Sequence, residues 1–329
     1  MAYSNGKNCL YYSVFGLFLL IFQPLQAQNR FARADAYVQD HLQKLGGKAV
    51  LLIYRNGTIV HEQSFHDIRT RQKIGARMMA RKTGKDADEL LNPLQSNSKI
   101  LIASCSKWLS AALVMRFIDD GKLRLTDTVG KYLPVLSAHG KGMITIAQCL
   151  SHQTGVASKG LSENKELMQL PSMDAAMEWI AQQPMEAAPG AGFHYSSVGL
   201  QIAAAVLEKI SGQSFEELFQ QMIAIPCSMQ QTDFGKGKLA LPAGGARSTA
   251  SDYLNFLVML LHQGTFNSKQ ILKPASVALM QHNYAAGKKT VYTPAESKGD
   301  WDWFKQTGVV KPEDAWRPLD KGGCPYIKA

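Results

Sequence analysis

Residues 100–118 read Ile-Leu-Ile-Ala-Ser-Cys-Ser-Lys-Trp-Leu-Ser-Ala-Ala-Leu-Val-Met-Arg-Phe-Ile. A short apolar run stops at Ser104, and a helical pattern follows it. The apolar positions then recur every four residues: Leu109, Leu113 and Phe117. This spacing predicts a buried helix that begins at Ser104 and carries Lys107 on the same face, one turn later. A hydroxyl beside an amine suits a serine nucleophile, because a helix N-terminus favours negative charge and disfavours a protonated lysine.

The Ser-Xaa-Xaa-Lys pattern is not specific by itself. It occurs four times, starting at Ser4, Ser96, Ser104 and Ser162. The first copy lies in a predicted targeting segment, and the Ser96 and Ser162 copies lie in polar stretches typical of loops. Only the Ser104 copy opens a long apolar helix. On the pattern alone, an ordinary helix start with a surface lysine is the alternative.

Composition sets the broad class of the protein. The chain has 329 residues, of which 46% are hydrophobic and 19% charged, which is enough for one large domain or two small ones. The formal charge of +10 would suit an anionic partner. However, the positive charge is spread along the chain and no nucleic-acid motif is present, so we expect a solvated surface and no nucleic-acid partner.

The N-terminus has the pattern of a secretory signal peptide. Lys7 precedes a largely apolar run over residues 10–22, and a small residue, Ala27, ends the segment. The run is too short to span a bilayer comfortably, which favours cleavage over a retained anchor. We therefore expect residues 1–27 to be removed, leaving residues 28–329 as an exported domain, periplasmic or secreted, without a stable membrane anchor.

The cysteines and histidines do not predict a metal site. The cysteines that follow the signal peptide are widely and irregularly spaced: Cys105, Cys149, Cys227 and Cys324. This spacing excludes a zinc ribbon or a redox pair. Export would permit disulfides, but spacing does not give their pairing, and buried free thiols are an equally good reading. No metal or organic cofactor is predicted.

The order of predicted elements indicates an α+β fold. A helix over residues 30–45 precedes two strand-like runs, residues 48–55 and 58–65, joined by Asn56-Gly57, a strong hairpin signal. The middle of the chain is almost entirely helical, with a mostly helical subdomain at about residues 119–245. We expect an antiparallel sheet built from N- and C-terminal strands, flanked by helices and interrupted by this helical insertion.

Residues 66–98 are interpreted as an irregular surface excursion that holds much of the basic excess. The alternative is a rim that attracts an anionic substrate or a cell-envelope polymer. Four acidic residues in the same span argue against that alternative: Asp67, Asp86, Asp88 and Glu89.

Six segments together resemble the class C-like branch of the serine β-lactamase and penicillin-binding-protein family, which also contains D-alanyl-D-alanine peptidases and esterases. In chain order they are Ala103-Ser-Cys-Ser-Lys-Trp108, Phe117-Ile-Asp-Asp-Gly-Lys-Leu123, Lys131-Tyr-Leu-Pro134, Thr145-Ile-Ala-Gln-Cys-Leu-Ser-His-Gln-Thr-Gly155, Phe193-His-Tyr-Ser-Ser-Val-Gly199 and Ala243-Gly-Gly-Ala-Arg-Ser-Thr-Ala-Ser-Asp252. No single segment is decisive, but their shared order over residues 31–282 makes chance a poor explanation.

The resemblance implies acyl transfer through a covalent serine ester. Ser104 would attack a carbonyl, and Lys107 would take or relay its proton. Tyr195 would protonate the leaving group and activate the water that releases the acyl group. Whether the amine or the phenol acts as the base is left open, because the two would titrate as a coupled pair. His152, at a helix end, is assigned a structural role.

Two departures from the family pattern affect the substrate-binding residues. Ser197 replaces the asparagine of the second motif; a hydroxyl is shorter than an amide, which lowers the expectation of efficient β-lactam turnover. For the third motif, Lys305-Gln-Thr-Gly308 is off-pattern by one residue, so Thr307 and Gly308 are the candidates for that edge of the site. The expected Gly-rich strand pair and closing helix are not evident after about residue 301, which suggests a truncated or altered C-terminus.

The sequence thus predicts an exported serine hydrolase acting on an ester, amide, peptide or β-lactam, a small-molecule or peptide substrate that includes cell-wall-derived ones. Two alternatives stay open. One is a penicillin-binding module that acylates without efficient turnover, and the other is a catalytically impaired family member.

Overall fold

The computed structural model describes residues 30–292, apart from Lys85, residues 159–164, Lys236, Lys238, Ala285, Gly287 and Lys288. The predicted signal peptide, residues 1–27, and the segment after residue 292, with Thr307 and Gly308, lie outside the described residues. The chain divides into two compact units, Met1–Gln95 and Ser96–Ala329. Within the described part of both, no helix has the length and apolar character needed to cross a bilayer.

The first unit contains the predicted helix and hairpin. Helix α1, Ala32–His41, precedes strands β1, Lys48–Arg55, and β2, Thr58–His66, which pair antiparallel along their length. Asn56 and Gly57 both have positive φ, 50° and 87°. The tight turn needs this conformation, and asparagine and glycine adopt it at least cost. The Asn-Gly signal therefore predicted the hairpin correctly.

The prediction of irregular structure after the hairpin is wrong. Residues 70–83 form helix α2, Thr70–Thr83, and a short helix α3, Ala87–Leu91, follows it. Gln72 accepts a hydrogen bond from the Arg69 backbone N–H at the start of α2, and Gly84 ends the helix in the left-handed region with φ 69°. Arginine, lysine, glutamine, methionine and alanine are good helix formers, but their polarity hid the helical period.

The second unit is mainly helical. Its helices are α4 Ser106–Asp119, α5 Pro134–Ala138, α6 Ile146–Leu150, α7 Met173–Gln182, α8 Val198–Ser211, α9 Phe215–Phe219, α10 Ala250–Leu261 and α11 Pro274–Met280. The predicted helical character of the middle region is confirmed, and α9 continues into a π-helical turn, Gln220–Ala224.

The second unit also contains short strands, which pair with one another. β3, Ile100–Leu101, pairs antiparallel with β5, Arg247–Ser248, while β6, Thr265–Phe266, pairs with β7, Lys269–Gln270. β4, Gly192–His194, pairs in parallel with β8, Lys289–Tyr292. The α+β class is thus confirmed. The C-terminal strands expected to join β1 and β2 in one sheet would lie after residue 292, outside the described residues, so that part of the expectation stays a prediction.

Helices α4 and α8 form the centre of the core. Leu109, Leu113 and Phe117 of α4 are buried, as the four-residue spacing predicts. In α8, Gly199 lies against α6 so closely that a Cβ atom there would be 2.1 Å from the Cys149 carbonyl oxygen. Only glycine fits this contact, which seats the start of α8, just after Tyr195, against the end of α6.

Cys149 and Cys227 are buried free thiols, and burial raises the pKa of the Cys227 thiol to about 12. Cys105 is also free and is exposed, while Cys324 lies outside the described residues. The prediction of buried free thiols therefore holds for Cys149 and Cys227 but not for the exposed Cys105.

Candidate active site

Ser104 does not lie in the regular helix that the sequence predicts it to open. It lies in a 3-10 turn, Ala103–Cys105, and α4 begins two residues later, at Ser106. Ala103 has φ 44°, a left-handed conformation that costs a non-glycine residue about 1 kcal/mol or more and that concentrates at functional sites. The turn exposes the Ser104 side chain at the N-terminal end of the buried helix.

Ser106 holds this turn in place. Its buried hydroxyl donates to the Ala103 carbonyl at 2.6 Å and accepts the Ala246 backbone N–H at 3.0 Å. The Ile102 N–H donates to the Ala246 carbonyl at 3.0 Å. Because these three bonds flank Ser104, they fix the backbone position of this candidate nucleophile on both sides.

The structure brings the three predicted catalytic side chains together. The Tyr195 hydroxyl donates to Ser104 Oγ at 2.8 Å, and Lys107 Nζ donates to the same oxygen at 3.3 Å. Lys107 Nζ also lies 4.6 Å from the centre of the Tyr195 ring. A hydroxyl, an amine and a phenol therefore meet at one oxygen, although Tyr195 is 91 residues from Ser104 in sequence.

Lys107 has a second partner that sequence reasoning missed. Its Nζ donates to the Ala243 carbonyl at 2.7 Å, a shorter contact than the one with Ser104. The Ser110 hydroxyl, one turn after Ser106 along α4, donates to the Pro242 carbonyl at 2.7 Å. Two serines one turn apart in an apolar helix need buried partners, and this was the available signal that a backbone segment packs there.

His152 supports Tyr195 from the end of α6. The two ring centroids are 4.6 Å apart, and His152 Nδ1 accepts the Ser196 backbone N–H at 3.3 Å. Since a backbone N–H can only donate, Nδ1 is the acceptor and Nε2 carries the proton. Loss of solvent around the ring, together with the smaller effect of the positive charge of Lys107, lowers the pKa of His152 to about 3, while the Ser196 hydrogen bond opposes this shift. The imidazole is therefore neutral, and it packs against the phenol.

This neutral histidine predicts a pH dependence of stability. Between pH 3 and the ordinary histidine value of about 6.5, the unfolded chain binds a proton at His152 that the native chain does not. Stability from this residue is complete above pH 6.5 and decreases as the pH falls. The free energy of unfolding, measured by urea, should therefore drop by about 2 kcal/mol from pH 7 to pH 5 on account of His152.

The matched control is His152→Asn, because asparagine tolerates the positive φ of 58° at this position and offers an acceptor but does not titrate. The variant should lose the His152 part of the pH dependence. An equal drop from pH 7 to pH 5 in both proteins would contradict the assignment.

Of the three predicted substrate-binding residues, the structure describes only Ser197. Ser197 immediately precedes α8 and is only 5% exposed. Thr307 and Gly308 lie outside the described residues, so their role stays a prediction. In the described part of the chain, no three histidine, cysteine, aspartate or glutamate side chains are grouped closely enough to hold a metal ion.

A family model for beta-lactamase matches residues 34–309. The chain belongs to the beta-lactamase family. Among curated members, it is 26% identical over 228 residues to esterase EstB of Burkholderia gladioli, covering 64% of this chain and 53% of the esterase. It is 23% identical over 145 residues to the D-alanyl-D-alanine-carboxypeptidase/endopeptidase AmpH of Escherichia coli (strain K12), covering 43% of this chain and 38% of that protein.

A solved structure supports the beta-lactamase-family fold. A beta-lactamase candidate from Bacteroides dorei DSM 17855 superposes with a TM-score of 0.67 at 23% identity, covering 90% of this chain and 78% of that one. The matched region spans less than two thirds of the length of EstB and of AmpH.

Proposed function

We propose that this chain is an exported serine hydrolase that cleaves a small ester or a related amide through an acyl-Ser104 intermediate. The observation that carries the proposal is the pair of hydrogen bonds at Ser104 Oγ, from Tyr195 at 2.8 Å and from Lys107 at 3.3 Å. Both groups can exchange a proton with the serine, and the serine side chain is exposed to an incoming carbonyl.

The proposed reaction has two halves. Ser104 Oγ attacks the substrate carbonyl while its proton passes to the Lys107–Tyr195 pair, and the Tyr195 hydroxyl then delivers a proton to the departing alcohol or amine. In the second half, the same pair takes a proton from water, water adds to the acyl carbon, and the proton returns to Ser104 as the acid leaves. The amine and the phenol act as one coupled unit.

The second contact of Lys107 gives it a defined position in this scheme. Its Nζ is held between the Ala243 carbonyl and Ser104 Oγ, and it lies over the Tyr195 ring. A lysine tethered at two oxygens loses less freedom during the reaction than a mobile one, which favours catalysis by orientation.

Ester substrates are the favoured class within this proposal. Ser197 stands where related motifs carry an asparagine, and its burial leaves little side-chain surface for a substrate amide. The names of EstB and AmpH point to ester and peptide chemistry for those proteins, and either class suits an acyl-serine route. A penicillin-binding module that acylates and barely turns over is the second candidate, because it requires the same attack by Ser104.

Hydrolysis of a small chromogenic ester, alongside labelling by a fluorescent penicillin, tests the proposal. We expect ester turnover and at most transient penicillin labelling. Stable labelling without ester turnover would favour the binding module. The absence of both ester turnover and penicillin labelling would contradict both proposals. Mass spectrometry of protein recovered from the periplasm or the medium should show an N-terminus at Gln28, which tests the proposed export.

A further inference from the structure

The solvent-facing side of helix α2, Thr70–Thr83, carries exposed apolar side chains. Ile74 is 53% exposed and Met78 66% exposed, while Met79, about 100° further round the helix, is 57% exposed. Ile74 and Met78 are four residues apart, so their side chains lie one above the other on a single face. The buried residue Ala76 lies on the opposite side of the helix, which packs into the first unit. The apolar pair is therefore centred on the exposed face.

The same face is strongly basic. Helix α2 contains no acidic residue and five basic ones, all exposed: Arg71, Lys73, Arg77, Arg81 and Lys82. At 100° per residue, Arg71 and Lys82 lie on one side of the Ile74–Met78 pair, and Arg77 and Arg81 lie on the other. Two rows of cations thus border a short apolar stripe.

Neighbouring carboxylates have other partners. Asp67 forms an ion pair with Arg69, before the helix, at 3.1 Å. Asp86 accepts the Asp88 backbone N–H as the N-cap of α3. Two of the four acidic residues that count against a basic surface in the sequence, Asp67 and Asp86, are thus engaged next to the helix and not on its exposed face.

We propose that this face of α2, centred on Ile74 and Met78 and bordered by its arginines and lysines, binds reversibly to the surface of an anionic phospholipid bilayer. The apolar side chains would enter the boundary between headgroups and acyl chains, and the long cationic side chains would reach the phosphates. The association is peripheral, because a helix of 14 residues with five basic side chains is too short and too charged to span the bilayer.

Charge and polarity favour this partner over others. An anionic polymer would neutralise the cations but would give Ile74 and Met78 no apolar phase to enter. A second copy of this chain, docked through the same face, would bring two sets of five cations together, which is unfavourable. A bilayer with anionic headgroups satisfies the cations and the apolar pair together.

Co-sedimentation of the proposed mature protein, residues 28–329, with vesicles tests the proposal. We expect binding to mixed phosphatidylcholine and phosphatidylglycerol vesicles and much weaker binding to phosphatidylcholine alone. Arg77→Gln with Arg81→Gln should weaken the binding roughly 25-fold, because each cation near an anionic surface contributes about fivefold. High salt should have the same effect, since it screens exposed charges.

Ile74→Gln with Met78→Gln tests the apolar pair at unchanged charge, and Met143→Gln with Met168→Gln, which alters two exposed methionines elsewhere, is the matched control. The first pair should lower vesicle binding at least about tenfold, because each methylene that enters the bilayer contributes about fourfold to the binding. The control should bind like the unaltered chain. Every variant is used in the proposed mature form that begins at Gln28, so the apolar segment before it does not contribute to vesicle binding.

Three results would overturn the proposal. The first is equal binding to vesicles with and without phosphatidylglycerol. The second is binding to polyglutamate that matches vesicle binding and ignores the glutamine substitutions at Ile74 and Met78. The third is light scattering that shows self-association through α2 instead of vesicle binding. Ester hydrolysis and helical circular dichroism should be unchanged in every variant, which separates this proposal from the proposed function.

Discussion

Replacing Ser104 by alanine is expected to lower ester turnover by roughly 10⁴- to 10⁶-fold. The substitution removes the oxygen to which both Tyr195 and Lys107 donate, at 2.8 and 3.3 Å, and leaves no atom to form the acyl intermediate. Binding of a substrate or product should change little, because the side chain lost is small. Turnover of a chromogenic ester and covalent labelling, read by mass spectrometry, measure the two effects.

Ser96→Ala is the matched control for this experiment. Ser96 begins another copy of the same four-residue pattern, but its lysine, Lys99, forms an ion pair with Asp233. We expect this variant to keep its turnover. If Ser104→Ala retained turnover and Ser96→Ala lost it, the nucleophile would be misassigned.

Replacing Tyr195 by phenylalanine is expected to lower turnover by roughly 10²- to 10⁴-fold, the usual contribution of a positioned acid–base group. Phenylalanine keeps the ring that packs on His152 and under the Lys107 ammonium, and it removes only the hydroxyl 2.8 Å from Ser104 Oγ. The loss should therefore fall on kcat and leave KM nearly unchanged.

Tyr253→Phe provides the comparison for Tyr195→Phe. The Tyr253 hydroxyl donates to the Cys105 carbonyl at 3.3 Å, so its removal also takes a phenolic hydroxyl from the neighbourhood of the nucleophile. This variant should lose little activity. Equal losses in the two variants would indicate a general packing effect and would contradict an acid–base role for Tyr195. Rapid-mixing kinetics would show whether formation or hydrolysis of the acyl intermediate depends on the Tyr195 hydroxyl.

Local signals in the sequence predicted much of the fold. The four-residue spacing predicted α4, and Asn56-Gly57 predicted the hairpin, because each depends on a few neighbouring residues. Helix α2 was missed, since its apolar pair faces solvent among arginines and lysines and Ala76 is the only buried residue among the described side chains of the helix. A search for a buried apolar stripe at helical spacing cannot identify such a helix.

The catalytic group was predicted in part from residue types and in part from family resemblance. Ser104 and Lys107 follow from helical spacing, but no spacing rule brings Tyr195 to them from 91 residues away. The Ala243 carbonyl could not be predicted, because a backbone oxygen leaves no mark on residue identity. Nor does an alanine at position 103 reveal its positive φ.

The left-handed backbone conformation of Ala103 has an energetic cost, and this cost is incurred during folding and not during the reaction. A residue forced into the left-handed region makes the native state less stable, and the bonds from Ser106 and Ala246 offset this during folding. If Ser104 is the nucleophile that we propose, the folded protein presents it in a turn that is already held in place before substrate arrives. Selection at this turn would then act on the trade-off between thermal robustness and reactivity.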